Sequence, residues 1–175
     1  MTAMMTMTGR RQHEARAAPP IAIIAEELGY FPVQNSKGET LYIPKKVQRS
    51  SSDQAVALAQ FLTQHKVVMA GTYWCPHTQR QKELLGRQAW QYIDYVECSP
   101  KGYQGNPRYC INQNIDGYPT WIIPSPKGGP PRLLSGERSL EDLAQQVGFD
   151  TFQASLEQDL PPMIGAGSCT LPKKN

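Results

Sequence analysis

The stretch that most constrains this chain is residues 67–89, where an apolar run leads into Trp-Cys-Pro-His and then into a helical sequence. The apolar run favours a β-strand, and the residues after Pro76 are strong helix formers without an internal proline. This order predicts a strand, a sharp turn and a helix. Cys75 then lies at the helix start, where unpaired backbone N–H groups and the helix dipole stabilise a thiolate.

Cys75 is therefore the candidate nucleophile of the chain. Pro76 fits the first helical turn, and His77 is able to carry a positive charge that also favours the thiolate. The hydroxyl of Thr78 could donate a hydrogen bond to the Cys75 sulfur. We take these four residues as the candidate catalytic set. The alternative is that Cys75 is retained in a domain that has lost its chemistry.

The motif and several groups after it resemble the thioredoxin superfamily, and in particular the thioredoxin-like domain that cyanobacteria and plants carry fused to vitamin K epoxide reductase homologues. The matching groups are residues 73–77, 81–84, 95–98, 100–102, Cys110, 117–121, 135–136 and 139–144. Together they cover residues 51–148. The resemblance implies a thioredoxin-like fold, which is an α/β fold with a central mixed sheet flanked by helices.

The resemblance also assigns roles to residues around Cys75. Pro119 matches the proline that the superfamily holds in cis beside the active cysteine. Tyr118, just before it, would offer its backbone to a substrate strand. Trp74 matches the aromatic residue that shields the site. Met69 stands where thioredoxins have a buried acid, so no acid–base assistance is expected there.

One position departs from the family pattern, because Thr78 stands where the family motif has its second cysteine. That second thiolate normally attacks the mixed disulfide on the first cysteine and releases the substrate. The motif of this chain therefore cannot resolve a mixed disulfide on Cys75. Cys169 could reach back and replace the missing thiol, but the interpretation that the sequence favours is a spare thiol in a flexible segment.

Two further cysteines, Cys98 and Cys110, match cysteines of the family, and the resemblance implies a structural disulfide between them. The alternative is two buried free thiols. A disulfide would indicate an oxidising compartment, which in a photosynthetic cell suggests the thylakoid lumen. Residues 1–20 have a composition like the tail of an organelle transit peptide, although it also suits any disordered leader. We therefore predict a plastid location, in or at the thylakoid.

The remaining pattern follows the thioredoxin order of strands and helices. Capping residues at 50–53 precede a helix that reaches His65, residues 66–74 form the central strand, and the helix from Cys75 ends near Gln88. Later elements are a strand at 91–98, a loop at 100–107, a short helix at 108–114, strands at 120–123 and 132–135, and a helix at 139–147 capped by Ser139.

The segments outside residues 51–148 are predicted to be extensions. Residues 1–50 contain a flexible leader, a short apolar segment at 21–28, and a β-hairpin with strands at 30–33 and 40–44. The hairpin could brace the core or dock another protein. Residues 149–175 form the other extension, with a candidate helix at 149–160 and a flexible stretch after it.

Composition excludes several classes of function. At 175 residues, the chain is long enough for one domain with extensions and too short for two ordinary domains. The basic residues are scattered or near the ends, which does not favour a nucleic-acid partner. No apolar run approaches the roughly 20 residues of a membrane-spanning helix. The resemblance therefore implies the soluble thioredoxin-like domain of the family, without its membrane helices. Four cysteines and three histidines without a zinc-binding spacing predict neither a metal site nor a cofactor.

Two functions follow from these observations. The leading hypothesis is a monothiol thioredoxin-like protein that attacks or captures cysteine-containing protein partners through Cys75, with Tyr118 and Pro119 shaping the groove. The alternative is a redox-inactive scaffold or assembly subunit of a larger complex, such as a photosynthetic membrane complex. The first hypothesis requires an exposed Cys75 with a lowered pKa. The second predicts a covered groove and interfaces on the hairpin and the extensions.

Overall fold

The computed structural model describes residues 30–151 and 167–170. The described elements are, in chain order, β1 (Tyr30–Gln34), β2 (Thr40–Pro44), α1 (Asp53–Gln64), β3 (Val68–Gly71), α2 (Pro76–Leu85), α3 (Arg87–Trp90), β4 (Asp94–Glu97), α4 (Pro107–Asn112), β5 (Gly117–Tyr118), β6 (Thr120–Ile123), β7 (Arg132–Ser135), α5 (Leu140–Val147) and β8 (Cys169–Thr170). The predicted leader, the apolar segment at 21–28 and nearly all of the candidate helix at 149–160 lie outside the described residues.

A four-stranded mixed sheet in the order β4-β3-β6-β7 forms the centre of the fold. β3 runs parallel to β4 and antiparallel to β6, and β7 pairs antiparallel with β6. Parallel strands need a crossover, and α2 and α3 supply it between β3 and β4. The fold is thioredoxin-like, and the fold class expected from the sequence is confirmed.

Alternate residues of the central strands face two different apolar clusters, because strand side chains point to opposite faces of the sheet. Met69 and Trp121 lie opposite each other and belong to the larger cluster, which α1, α3 and α5 complete. Ala70 and Ile122 belong to the smaller cluster. That smaller cluster also contains Cys75, Cys98, Cys110, Ile115 and Tyr118, with Cys169 packed against it. The predicted site is therefore built onto the smaller cluster.

The helix starts follow the predicted caps, whereas one helix end does not follow the prediction. The Ser52 hydroxyl accepts a hydrogen bond from Ala55 N–H at 3.1 Å, and the Ser139 hydroxyl accepts one from Asp142 N–H at 3.0 Å. The helix expected to run from Cys75 to Gln88 ends earlier, at Leu85. Gly86 has a φ of +82°, which breaks the helix, and α3 begins directly after it.

The hairpin of β1 and β2 forms as predicted, in a two-stranded sheet of its own. Tyr42 fixes it to the loop after β4: its N–H donates to the Lys101 carbonyl at 2.8 Å, and its carbonyl accepts from Tyr103 N–H at 2.9 Å. The rings of Tyr30 and Tyr42 lie 4.8 and 5.0 Å from the ring of Tyr73. The hairpin therefore braces the turn that leads into Cys75.

Within residues 30–151, no helix combines the length and the apolar character that crossing a membrane requires.

Candidate active site

Cys75 occupies the N-cap position of α2, at the predicted start of the helix. Its N–H donates to the Thr72 carbonyl at 3.2 Å, and its carbonyl accepts the N–H of Gln79 at 3.1 Å. Pro76 is the first helical residue, where its missing N–H costs no intrahelical bond. The Cys75 side chain thus lies at the positive end of the α2 dipole.

The Cys75 sulfur is bonded to Cys169, a residue 94 positions away in the sequence, with the two Cα atoms 6.0 Å apart. Cys169 belongs to β8, which pairs antiparallel with β5 so that Cys169 lies opposite Tyr118. The Cys75 Sγ is also 3.4 Å from the Tyr118 carbonyl oxygen. The favoured interpretation of Cys169 as a spare thiol in a flexible stretch is therefore wrong, because residues 167–170 are seated in the site.

This segment changes the accessibility of the site. Cys75 is 0% exposed, so the exposed thiol required by the leading hypothesis is not found in this disulfide form. Tyr118 and Pro119 are buried, and the peptide bond between them is cis. Trp74 is half-buried, with its ring edge-on to the ring of Tyr118 at 6.2 Å. The groove residues implied by the resemblance are thus brought together and covered by the chain itself.

His77 faces an acid that the sequence analysis did not single out, Glu137. The His77 Nδ1 lies 3.2 Å from one Glu137 carboxylate oxygen, and Arg80 Nε donates to the other at 2.7 Å. Glu137 N–H also donates to the Gly167 carbonyl at 3.2 Å. Nothing in the local sequence of this loop indicated the role, because His77 and Glu137 are 60 residues apart and meet only in the fold.

Thr78 is brought close to Cys75 in the chain, but its side chain makes a different contact from the one expected. It is fully buried, and its hydroxyl has no hydrogen-bond partner among the described residues. The side chain lies against Gly71 of β3, where any Cβ atom would overlap it. The predicted hydrogen bond to the Cys75 sulfur is therefore not formed, since the hydroxyl is held against the strand.

A buried pair of ionisable groups, Lys82 and Glu97, was missed by the sequence analysis. The Lys82 ammonium lies over the rings of Trp90 and Tyr95, 4.8 and 4.1 Å from their centroids, and burial lowers its pKa to about 8. Burial raises the pKa of Glu97, whose carboxylate accepts hydrogen bonds from the Tyr95 hydroxyl at 2.8 Å and from Ser99 N–H at 2.9 Å.

Met69, at the position of the family's buried acid, is fully buried in the larger cluster.

The second disulfide joins Cys98, just after β4, to Cys110 in α4, with Cα atoms 5.8 Å apart. This is the pairing that the resemblance implied, so the alternative of two free thiols does not apply. Cys98 N–H donates to the Gly71 carbonyl at 2.8 Å, which continues the pairing of β4 with β3. All four cysteines of the chain are consequently in disulfides.

Metal binding has no candidate centre in the described parts of the chain, where no three His, Cys, Asp or Glu side chains are grouped to hold an ion.

Comparison with known proteins matches the chain to a thiol-disulfide oxidoreductase. No protein-family model matches the chain. Thiol-disulfide oxidoreductase LTO1 of Arabidopsis thaliana is 38% identical over 128 residues, which are 71% of this chain and 32% of that protein. The chain thus spans about a third of the length of this relative. It is related to a thiol-disulfide oxidoreductase, in agreement with the thioredoxin-like resemblance.

Proposed function

We propose that this chain, as a relative of a thiol-disulfide oxidoreductase, exchanges disulfides with cysteine-containing protein partners through Cys75. One observation carries the proposal: the Cys75 sulfur, at the N-terminus of α2, is in a disulfide beside the backbone of Tyr118. A sulfur that forms a disulfide at this place has the position needed to form a mixed disulfide with a partner.

The helix start supports the reactive form of Cys75. The first hydrogen bond within α2 is donated by Gln79, so the N–H groups of His77 and Thr78 precede the helical ladder. These groups and the helix dipole favour a negative charge at the N-cap side chain, and the thiolate is the nucleophile in exchange. Reduced Cys75 should therefore form a thiolate more readily than a free cysteine does.

The exchange step needs only one thiol from the motif. The Cys75 thiolate attacks one sulfur of the partner's disulfide, a Cys75–partner bond forms, and the partner's other sulfur leaves as a thiolate. Thr78 has no sulfur, so the motif acts as a monothiol. The backbone of Tyr118 would pair with an extended strand of the partner, and Trp74 and Pro119 would line the groove.

Under this proposal the chain works in an oxidising compartment. Its two disulfides support such a setting, since disulfides persist where thiols are not continuously reduced. The relative is a plant protein, and we propose the plastid, in or at the thylakoid lumen, as the location. The domain organisation that we propose is the catalytic unit at residues 51–148, with extensions at 1–50 and 149–175.

The alternative function, a redox-inactive scaffold subunit, has one observation in its favour. That hypothesis predicted a covered groove around Trp74 and Pro119, and the groove is covered. It also predicted contacts on the hairpin, where Phe31 has an exposed ring. The covering residue is itself a cysteine bonded to Cys75, which a scaffold does not need. This difference leads us to rank the exchange function first.

The pH dependence of Cys75 alkylation separates the two functions. The Cys169→Ser variant leaves Cys75 free while the Cys98–Cys110 bond stays closed, and Cys75→Ser added to it is the control. We expect iodoacetamide labelling of Cys75, followed by mass spectrometry, to have a midpoint at least about one unit below the ~8.5 of a free thiol. An unshifted midpoint, or no labelling of a folded variant, would favour the scaffold.

A further inference from the structure

We propose that the Cys169 segment, residues 167–170, is a tethered stand-in for a substrate strand, and that Cys169 supplies the resolving thiol that Thr78 lacks. This inference rests on the proposed function of Cys75 as the site of exchange. It gives the segment two linked roles. It covers the groove in the oxidised form, and it ejects a bound partner by taking that partner's place.

The backbone pairing of the segment is that of a substrate strand. β8 adds to β5 in antiparallel pairing, with Cys169 opposite Tyr118 and Thr170 opposite Gly117. An extended protein partner that docks at Cys75 would use this same backbone, because strand addition depends on main-chain groups that every residue offers. The segment and a partner strand therefore compete for one binding edge.

The side chains around the segment form a close-fitting seat. Gly167 lies close to the His77 ring, so that a Cβ atom at residue 167 would overlap the ring. On the other side, Gly117 leaves space for the Ser168 hydroxyl, which is 3.5 Å from the Ser135 hydroxyl. Glu137 N–H holds the Gly167 carbonyl at 3.2 Å. Contacts of this kind on two sides fix the segment in one position along the groove.

That position directs Cys169 toward Cys75. Neighbouring residues of a strand point to opposite faces, so a register slip of one residue would turn the Cys169 side chain away from the site. The observed Cα separation of 6.0 Å lies in the range of about 4.4–6.8 Å that a disulfide requires. The register of β8 on β5 therefore places the thiol of Cys169 next to Cys75. In dithiol proteins, the second cysteine of the motif provides this neighbouring thiol.

The exchange then proceeds in two balanced steps. Attack of the Cys75 thiolate on a partner disulfide gives the mixed disulfide and one partner thiolate. The Cys169 thiolate attacks Cys75 Sγ, the Cys75–Cys169 bond forms, and the partner's second sulfur leaves as a thiolate. The partner gains two electrons and this chain loses two. In the reverse direction, the Cys75–Cys169 disulfide oxidises a partner dithiol. A protein dithiol reduces the chain again after the forward reaction, and a protein disulfide oxidises it again after the reverse reaction.

The test uses the full chain with oxidised glutathione as the probe. Cys75–Cys169 is first reduced under conditions that leave Cys98–Cys110 bonded, and the glutathione adduct on Cys75 is then followed by intact mass and peptide mapping. We expect Cys169→Ser to accumulate at least about tenfold more adduct than the natural sequence, in which the tethered thiol removes it. Cys75→Ser should carry no adduct at this position.

A matched control keeps the thiol but moves it by one residue. Cys169→Ser combined with Thr170→Cys has the same number of thiols on the same segment, facing the other side of β8. We expect it to resolve the adduct at least about tenfold more slowly than the natural sequence. Gly167→Val, which forces a side chain against His77, should slow resolution without changing either cysteine. Equal rates in all three proteins would mean that the segment is not docked during resolution.

The outcomes separate this inference from the function beneath it. If folded Cys169→Ser forms no adduct, Cys75 is not an exchange site, and both proposals are wrong. If the adduct accumulates equally with and without Cys169, Cys75 exchanges but Cys169 does not resolve, and only the present inference is overturned. Fast removal of the adduct together with a Cys75–Cys169 link in the peptide map would support it.

Discussion

The two disulfides of this chain border one apolar cluster, yet their surroundings differ. Cys98 and Cys110 are 12 residues apart in sequence, and they are 4% and 2% exposed. Cys75 and Cys169 are 94 residues apart, and Cys169 is half-buried on a strand of two residues. The first bond opens only if packed side chains separate, whereas the second opens if β8 leaves β5. Location in the fold therefore separates a bond held within the core from one that depends on a short strand.

The largest expected effect is a difference in the rates at which the two bonds are reduced. A reductant gains access to the half-buried Cys75–Cys169 bond when the two-residue strand β8 leaves β5, while Cys98–Cys110 becomes accessible only after local unfolding of the cluster. Under the proposed function, Cys75 is also a good leaving group, because its place at the helix start favours the thiolate. We expect low concentrations of dithiothreitol to open Cys75–Cys169 at least about a hundredfold faster. Alkylation and peptide mass spectrometry measure both rates, and simultaneous opening would remove the distinction.

Sequence reasoning succeeded where a local pattern carries the signal. The caps at Ser52 and Ser139, the hairpin at Tyr30–Gln34 and Thr40–Pro44, and the helix start at Cys75 all follow from residues near one another in the chain. The family resemblance added the fold and the pairing of Cys98 with Cys110. These features could be predicted because hydrophobic periodicity, helix capping and the order of the motif residues depend on residues that are near one another in the sequence.

The same reasoning failed where the signal is carried by backbone atoms or by burial in three dimensions. The sequence around Cys169 has the glycine and serine content of a loop, and a two-residue strand is too short to show a period. Its partner β5 is recognised through main-chain groups that no residue type identifies. Lys82 and Glu97 were missed because charged residues usually mark an exposed surface. Both become visible only when the fold is assembled.

The second prediction concerns stability, and it reverses the order that loop length alone would give. The chain-entropy relation assigns about 3 kcal/mol to a bridge across 12 residues and about 5 kcal/mol to one across 94. The larger value requires that the native fold hold Cys169 in place without the bond, and β8 contributes only two paired residues to this. We expect Cys98→Ala with Cys110→Ala to lower the free energy of unfolding by about 3 kcal/mol, and Cys169→Ser to lower it by less.

Denaturant titration of the oxidised proteins measures both changes. A loss of about 5 kcal/mol in Cys169→Ser would mean that the segment is as firmly held as the core, contrary to the comparison. Cys75→Ser serves as the matched control, since it removes the same bond from the other side. Cys75→Ser and Cys169→Ser should lower the free energy of unfolding by similar amounts if the loss of the Cys75–Cys169 bond is the cause.

The smallest expected effect is the pH dependence of the free energy of unfolding, which depends on the buried groups Lys82, Glu97 and Tyr95 near Cys98. Burial lowers the pKa of Lys82 from 10.5 to about 8, so between these values the unfolded chain binds more protons than the folded one. The free energy of unfolding should therefore rise with pH across this window. The raised pKa of Glu97 acts in the opposite direction, because its contribution is present at low pH and lost as pH rises through the folded value. The raised pKa of Tyr95 likewise lowers stability above its ordinary value of 10.0.

Lys82→Met removes the titration of the lysine, and it also removes the Lys82 charge that lowers the pKa of Glu97. Between pH 8 and about pH 9.5, the natural sequence should gain on the order of 1–2 kcal/mol more than the variant, measured by denaturant unfolding at each pH. Equal slopes would show that Lys82 does not titrate in this window. The rate at which Cys75–Cys169 opens should be the same in both proteins at any one pH, since the Lys82 ammonium packs on the rings of Trp90 and Tyr95. A change in that rate would mean that the region around Lys82 and Glu97 is coupled to the Cys75–Cys169 bond.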